Sequence, residues 1–169
     1  MRKSIRLAAV GAVLAAASFA SAAQAADTAT ATASAEVLST IAVAKDLDMS
    51  FGQVAVNGDG TFVLGADGTY SCTAALICAG TRQAAAFTIT GTADVGVTAS
   101  VNQTSIDLVH ATDNTKTFTL DTFTVDFPAG NTLVGGSTSF NVGGTLNVVA
   151  ANALAGVYSG SFDVTVEYQ

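Results

Sequence analysis

The C-terminal part of the sequence alternates between apolar and polar positions. From Tyr158 onward, every second residue is apolar or glycine, and the residues between them are polar. Because successive side chains of a strand point to opposite faces, this pattern predicts a β-strand over residues 156–169, with one buried and one solvated face. The predicted buried face, together with the glycine that begins the stretch, consists of Gly156, Tyr158, Gly160, Phe162, Val164, Val166 and Tyr168.

Similar but shorter stretches recur along the chain, separated by turn sequences such as Asn57-Gly58-Asp59-Gly60. One of them, Thr117 to Phe127, changes parity at Asp121-Thr122, which predicts a bulge or a tight turn. Another, Ser139 to Ala150, is interrupted by two glycines and predicts a strand pair or a bent strand. No long apolar run has helical spacing. Short strands rich in Thr, Val and Phe predict an all-β, Ig-like antiparallel β-sandwich.

A further buried face is expected on the strand that contains Leu47, Met49 and Phe51, because the residues between them are Asp48 and Ser50.

The first 25 residues have the three parts of a secretory signal peptide. Arg2, Lys3 and Arg6 form a basic start, an apolar run follows from Leu7 to Ala17, and Ala23-Gln24-Ala25 fits a cleavage site. Residues 1–25 are therefore expected to be removed on export. No later segment approaches eighteen unbroken apolar residues, so no stable membrane span is expected.

Residues 26–37 form a separate segment ahead of the predicted sandwich domain, which covers residues 38–169. In this segment small apolar residues alternate with Thr, Ser and Glu. Because the alternation continues to Val43 and exceeds the usual length of a strand, residues 26–37 are either a free N-terminal arm or the first strand of the sandwich. The apolar positions are Ala29, Ala31, Ala33, Ala35 and Val37.

The charge of the mature chain argues against a nucleic-acid partner. Only Lys45, Arg82 and Lys116 remain after residue 25, against thirteen acidic residues, which gives a net charge of −10. Such a surface repels nucleic acid, and the sequence has no basic stripe to offset it.

Two cysteines, Cys72 and Cys78, are separated by five residues. In an exported chain an even count predicts a disulfide that constrains the loop between them. A zinc site is disfavoured because there is no second cysteine pair and only one histidine. We expect no metal and no cofactor.

No set of residues has a catalytic pattern. His110, the single histidine, is expected to be solvent-facing or in a loop, and no serine lies in a Gly-x-Ser-x-Gly motif. The acidic pairs Asp46/Asp48 and Asp121/Asp126 are expected on solvated strand faces or loops, away from any glycosidase-like arrangement. The protein is therefore expected not to be an enzyme.

Four stretches of the sequence carry a family resemblance. They are Asp46-Leu47-Asp48-Met49-Ser50-Phe51-Gly52, Phe87-Thr88-Ile89-Thr90-Gly91, Phe140-Asn141-Val142-Gly143-Gly144-Thr145-Leu146 and Gly156-Val157-Tyr158-Ser159-Gly160. With them the chain resembles the bacterial domain-of-unknown-function family 4402 over Ala35 to Tyr168. That family has no settled biochemical role and is similar to fimbrial subunits and spore-coat-protein-U-like pilins.

The C-terminal stretch also resembles the signature of chaperone–usher pilus subunits, with Gly156 fourteenth from the end and Tyr168 penultimate. The resemblance implies a sandwich that lacks one strand until it is complemented. A periplasmic chaperone lends that strand, an usher assembles the subunits, and the N-terminal arm of another copy or a related subunit replaces the chaperone strand. The inserting face implied here is Ala29 to Val37, although donor arms commonly carry larger apolar residues.

The expected function is therefore that of an exported structural subunit of a pilus or fimbria-like surface assembly, polymerising by donor-strand exchange. The expected location is the periplasm and then the cell surface or the extracellular space. The alternative is a self-complete secreted β-sandwich that acts as a surface adhesin or a glycan-binding module.

Overall fold

The computed structural model describes residues 27–169, so the predicted signal peptide and Ala26 lie outside the described residues. Within the described range, no helix is long and apolar enough to cross a membrane. The strands of this range are β1 (Ala42–Leu47), β2 (Gln53–Val56), β3 (Gly60–Leu64), β4 (Tyr70–Cys72), β5 (Leu76–Ala79), β6 (Ala85–Thr90), β7 (Val97–Val101), β8 (Ser105–His110), β9 (Thr117–Asp126), β10 (Ser137–Val148), β11 (Tyr158–Ser159) and β12 (Val164–Tyr168). Two 3-10 turns cover Val134–Gly136 and Ala150–Asn152.

Residues 27–41 contain no strand, and the side chains of residues 27–40 are exposed. Residues 27–35 belong to a unit separate from the compact unit Glu36–Gln169. All twelve strands lie in the second unit, and every strand pair in it is antiparallel. The predicted all-β antiparallel fold is confirmed.

The larger sheet is organised around β10, a single strand of twelve residues. On one edge, Ser137 to Val142 pair with β6, and Gly144 to Val148 pair with β3. On the other edge β10 pairs with β9, and the sheet order is β1-β6-β10-β9-β8-β11, with β4 beside β3. The predicted interruption at the two glycines is therefore the place where β6 gives way to β3 as the neighbour of a continuous strand.

The parity change predicted in the middle of β9 is confirmed as a β-bulge. Asp121 pairs with Thr145 and Thr124 pairs with Gly143, so Thr122 and Phe123 face only Gly144 across the ladder. Thr122 has a φ of 49°, a conformation that a β-branched residue rarely adopts. The bulge keeps the apolar side chains on both halves of β9 pointing into the core.

The second layer consists of two two-stranded sheets, β7 with β12 and β2 with β5. Each covers its own part of the core. The first buried cluster combines residues of β6, β7 and β10 with Leu133, and half-buried residues of β12 pack against it. The second cluster combines residues of β3, β5, β9 and β10, and half-buried residues of β2 pack against it. The fold is a sandwich whose second layer is divided between these two sheets.

Cys72 and Cys78 form the predicted disulfide. Cys72 ends β4, which belongs to the larger sheet, whereas Cys78 lies in β5 of the second layer, opposite Val54 of β2. The bond therefore joins the two layers and ties the β2–β5 sheet to the rest of the domain. A ring this small contributes about 2 kcal/mol by constraining the unfolded chain.

Candidate functional site

The C-terminal stretch leaves one layer of the sandwich and enters the other. Its alternation of burial follows the predicted parity from Phe162 onward: Phe162, Val164, Val166 and Tyr168 are half-buried, and the residues between them are exposed. Tyr158 is half-buried as well, but Gly160, predicted on the same buried face, is exposed. It is not a continuous strand, however. Tyr158–Ser159 pair with β8 of the larger sheet, residues 160–163 form no ladder, and Val164–Tyr168 pair with β7. The prediction of one uninterrupted strand is wrong. The alternation of apolar and polar residues indicates which side chains are buried, but it does not indicate which strand is the neighbour.

One edge of β12 is unpaired in the part of the chain that the structure describes. Asn102 donates its backbone N–H to Asp163, and Gln169 donates to Gly96, so the odd-numbered residues of β12 bond to β7. The backbone N–H and C=O groups of the even-numbered residues, Val164 and Val166 among them, therefore point away from β7. Within residues 27–169, β7 is the only strand that pairs with β12. This edge can accept a further strand.

An open cavity of about 560 Å³ lies beside the same C-terminal stretch. One wall consists of residues from Met49 to Val56, and the opposite wall consists of residues 153–158. Its floor is apolar and belongs to the second core cluster, with Phe118, Leu146 and Val148 as buried members.

A second cavity, of about 370 Å³, continues along the same stretch. Its walls are residues from Lys45 to Phe51 on one side and residues 158–162 on the other, over a floor that includes Phe87 and Leu120. The two cavities share Met49, Phe51, Leu108 and Tyr158 as lining residues. We call the two together the groove. It separates residues 45–56 from residues 153–162 and exposes part of the sandwich core.

Leu47 is more exposed than the sequence predicts, and its position in the groove explains why. Leu47, predicted to share a buried face with Met49 and Phe51, is 49% exposed. Met49 and Phe51 are half-buried. All three line the groove, and Leu47 lies on the wall of its smaller cavity. The prediction of a buried Leu47 is wrong because the groove leaves that side chain uncovered.

Tyr168 ties the end of β12 to two other segments. Its hydroxyl donates to the carbonyl of Ser39 at 2.9 Å and accepts from the backbone N–H of Thr92 at 2.7 Å. Ser39 in turn donates its own N–H to the hydroxyl oxygen of Thr92. Burial acts to raise the pKa of Tyr168, but the hydrogen bonds with Thr92 outweigh it and hold the pKa below its ordinary value. The Tyr168 hydroxyl thus fixes the position of Ser39, three residues before β1 begins.

Replacing Tyr168 by phenylalanine is expected to lower the urea midpoint of unfolding, because the hydrogen bonds of the hydroxyl with Thr92 and Ser39 are both lost. Urea denaturation followed by tyrosine fluorescence measures the change. Tyr70→Phe is the matched control: that ring is 54% exposed and stacks on the Arg82 guanidinium, a contact that phenylalanine retains. Equal losses in both variants would show that the Tyr168 hydroxyl contributes nothing specific.

The candidate arm residues Ala29, Ala31, Ala33, Ala35 and Val37 lie in the stretch without strands. All five side chains are exposed, and Val37 is 92% exposed. Their backbone groups take part in no strand pairing among the described residues.

His110 is buried at the end of a strand. It is the last residue of β8 and is only 5% exposed, so the prediction of a solvent-facing or loop histidine is wrong. A signal in the sequence could have found it, because Ile106, Leu108 and His110 share one parity and hence one face. The ring packs edge-on against Tyr158, with ring centroids 5.0 Å apart.

The acidic residues considered as catalytic candidates form hydrogen bonds or ion pairs with different side chains. Asp46 accepts a hydrogen bond from the Thr88 hydroxyl, and Asp48 forms an exposed ion pair with Lys45 at 2.6 Å. Asp121 accepts from the hydroxyl of Thr122. Within the described range no three metal-ligating side chains lie together.

Comparison with known proteins gives a family and no named relative. Residues 41–168 match the model of a family described as a domain of unknown function, DUF4402. The chain belongs to the DUF4402 family. The matched range runs from the residue before β1 to the last residue of β12, so both walls of the groove are part of the family domain. Neither the curated proteins nor the solved structures include a match.

Proposed function

We propose that this DUF4402 protein is an exported, non-catalytic structural subunit of a pilus or fimbria-like surface assembly. In this proposal each subunit receives an extended segment from another copy in its groove, after a periplasmic chaperone has occupied the groove and an usher has brought the subunits together. Two observations support the proposal: the open apolar groove beside residues 153–162, and the unpaired edge of β12, the strand that follows these residues.

The groove has the chemistry that an added β-strand requires. A strand placed along β12 can pair with the free backbone groups of Val164, Val166 and Tyr168. Where the same segment continues past Phe162, it can direct alternate side chains onto the apolar floor of the groove. Burying apolar side chains there stabilises the complex by about 25 cal/mol for each Å² removed from water. A glycan would instead be held by polar groups and ring faces on an exposed surface, whereas the buried floor of this groove consists of leucine, valine, alanine and phenylalanine.

Residues 27–37 are the proposed occupant from the second copy. They match the stretch from Tyr158 to Tyr168 in length, since each has eleven residues and spans about 36 Å when extended. One parity carries Ala29 to Val37 and faces the core in this arrangement. The other parity carries Thr, Ser and Glu36, and faces water. Alanine side chains bury little area, so pairing along the strand edge supplies a larger share of the binding than the side chains do.

Deletion of residues 27–37 tests this proposal. We expect unheated periplasmic material to form a ladder of oligomers on a denaturing gel that collapses to monomer on boiling. The deletion variant is expected to show no ladder and to be recovered folded when a chaperone is present.

A matched pair of substitutions tests which face of the arm inserts. Ala33→Asp puts a charge on the proposed inserting face, where an unpaired carboxylate is costly, and is expected to remove the ladder. Thr32→Asp places the same charge on the solvated face and is expected to keep it.

A wild-type monomer with cooperative unfolding unaffected by the deletion contradicts the subunit function. Retention of a glycan that survives the deletion would instead support a surface adhesin or glycan-binding module.

A further inference from the structure

Two loops lie at opposite ends of β10. Residues 131–136 come directly before this strand, which begins at Ser137, and residues 149–157 follow its last residue, Val148. We call residues 131–136 the arm-end loop and residues 149–157 the far-end loop. Because β10 is a single strand of twelve residues, the two loops are about 37 Å apart along it.

The arm-end loop lies beside the residue from which the N-terminal segment departs. Ser39 donates its backbone N–H to the Thr92 hydroxyl at 2.7 Å, and its carbonyl accepts from the hydroxyl of Tyr168 at 2.9 Å. The residue before Thr92, Gly91, donates its N–H to the carbonyl of Gly136 at 3.0 Å. Ser39, the end of β12 and the arm-end loop are therefore neighbours.

The far-end loop lies beside Tyr158, at the start of the C-terminal stretch. The Tyr158 hydroxyl donates to the carbonyl of Asn152 at 2.8 Å and accepts from the backbone N–H of Leu154 at 2.8 Å. The C-terminal stretch thus runs from the far-end loop, at Tyr158, to the arm-end loop, at Tyr168.

Both loops expose apolar side chains. In the arm-end loop Val134 is 71% exposed, and in the far-end loop Val157 is 69% exposed. Val149 and Leu154, which belong to the far-end loop as well, are also exposed. Exposed apolar side chains that are concentrated in one place, unlike single ones, mark an interaction site.

Neither loop carries an ionisable side chain. The sequence has no Asp, Glu, Lys, Arg or His between Asp126 and Asp163, and this stretch contains both loops. The charged side chains that form hydrogen bonds with the backbone of the far-end loop are Asp59 and Lys116, which have opposite signs. Two mature chains that each carry a net charge of −10 repel one another, and this repulsion is weakest where uncharged surfaces meet.

The direction of a donated arm decides which loops meet. A strand added to the free edge of β12 is more stable antiparallel than parallel. In the antiparallel arrangement Val37, the last residue of the donated arm, lies beside Tyr158 of the receiving copy. Ser39 of the donor follows within about 7 Å of chain, and it brings its arm-end loop to the far-end loop of the receiving copy.

We propose that the arm-end loop of one copy packs against the far-end loop of the next, so that successive copies meet end to end through uncharged, apolar surfaces. The direction of the arm, and with it this inference, rests on the function proposed above. The two surfaces differ, so each copy in a row leaves one of them free for a further copy. Such a heterologous contact builds an open filament instead of a closed dimer.

Paired cysteine substitutions in the full chain test the contact in unheated periplasmic material. The two native cysteines are bonded to each other, so the introduced residues supply the free thiols. Val134→Cys combined with Val157→Cys is expected to be joined by a short bismaleimide into oligomers that survive boiling. Val134→Cys combined with Val63→Cys is the control and is expected to give none, because Val63 lies within β3, outside both loops.

The other outcomes separate this inference from the proposed function. A ladder of oligomers without the Val134–Val157 crosslink rejects the end-to-end contact alone. Crosslinking of Val134→Cys to itself shows that two arm-end loops meet, as a parallel arm requires, and also overturns the contact. Crosslinks that persist after deletion of residues 27–37 support the contact and reject donor-strand assembly. A monomer without crosslinks rejects both.

Val134→Asp measures what the contact contributes to assembly. The carboxylate would lie against the apolar far-end loop of the next copy, and the amount of unheated oligomer is expected to fall about tenfold. Because Val134 is exposed within its own copy, the urea midpoint of the monomer is expected to stay unchanged, as is the binding of a synthetic peptide of residues 27–37. Ile77→Asp, at an exposed apolar residue of β5 outside both loops, is expected to retain the oligomers. Equal amounts of oligomer in Val134→Asp and the wild type would overturn the proposal.

Discussion

Replacing Phe162 by aspartate is expected to lower the free energy of unfolding by about 4 kcal/mol and to abolish assembly. The Phe162 ring packs against Phe123, with centroids 5.2 Å apart, and against Phe87 at 6.5 Å. Truncating a core aromatic side chain costs about 3–5 kcal/mol, and the carboxylate adds a charge beside the apolar floor of the groove. Urea denaturation and the yield of folded protein in the periplasm measure the first effect, and the oligomer ladder measures the second.

Thr165→Asp provides the matched control on the opposite parity. Thr165 is exposed, and its hydroxyl donates to the side-chain carbonyl of Asn102 at 2.6 Å. Losing that one exposed bond is expected to cost about 1 kcal/mol or less. The ladder is expected to persist. Equal losses for Phe162→Asp and Thr165→Asp would show that the two faces of this stretch are not distinguished by burial.

The position of Phe162 illustrates what alternation in the sequence can predict. The parity from Tyr158 to Tyr168 predicted which side chains face the core, because side-chain direction follows from strand geometry alone. The change from β8 to β7 as the neighbour, between Ser159 and Val164, has no comparable signal. Pairing partners depend on contacts with residues about 60 positions earlier, such as the bond of Asp163 with Gln103.

The groove could be anticipated only through the family resemblance. A buried face was predicted for the strand of Leu47 on the assumption that every apolar parity is covered, yet Leu47 is half exposed on the groove wall. The alternating pattern of such a strand is the same in a complete sandwich and in one with an uncovered side. What differs is whether another segment lies over it, and that is a property of the assembled fold.

The burial of His110 could have been predicted from the sequence, because His110 continues the apolar face of Ile106 and Leu108 by one more position. The contact of its ring with residues 155–156 could not have been predicted from the sequence. Gly156 appeared only as part of the C-terminal signature, and the structure gives it a physical role as the residue that lets the chain pass against the ring.

A close approach of another backbone segment also explains why glycine occurs in the middle of β10. At this point the larger sheet exchanges one neighbour of β10 for another, since β6 pairs up to Val142 and β3 pairs from Gly144 onward. The end of β3 and the residues after it must therefore cross directly over Gly143. Gly143 is buried, and both halves of the sandwich core depend on this crossing.

Gly143→Ala is accordingly expected to lower the free energy of unfolding by about 3 kcal/mol, at the upper end of the usual cost of overpacking. A Cβ atom there would overlap backbone atoms of Leu64, Gly65 and Ala66, and backbone cannot move aside as a flexible side chain can. The expected measurement is a lower urea midpoint with an unchanged denaturant slope.

Gly58→Ala is the control for Gly143→Ala, because a methyl group at position 58 would make only an ordinary contact, 3.5 Å from the Cβ of Ala75. Its free energy of unfolding is expected to stay within about 0.5 kcal/mol of the wild-type value. If Gly143→Ala proves as mild as Gly58→Ala, then β3 does not cross β10 at this distance. In that case the pairing of β6 and β3 with successive halves of β10 would be wrong, and so would the position of the groove floor, which these strands help to form.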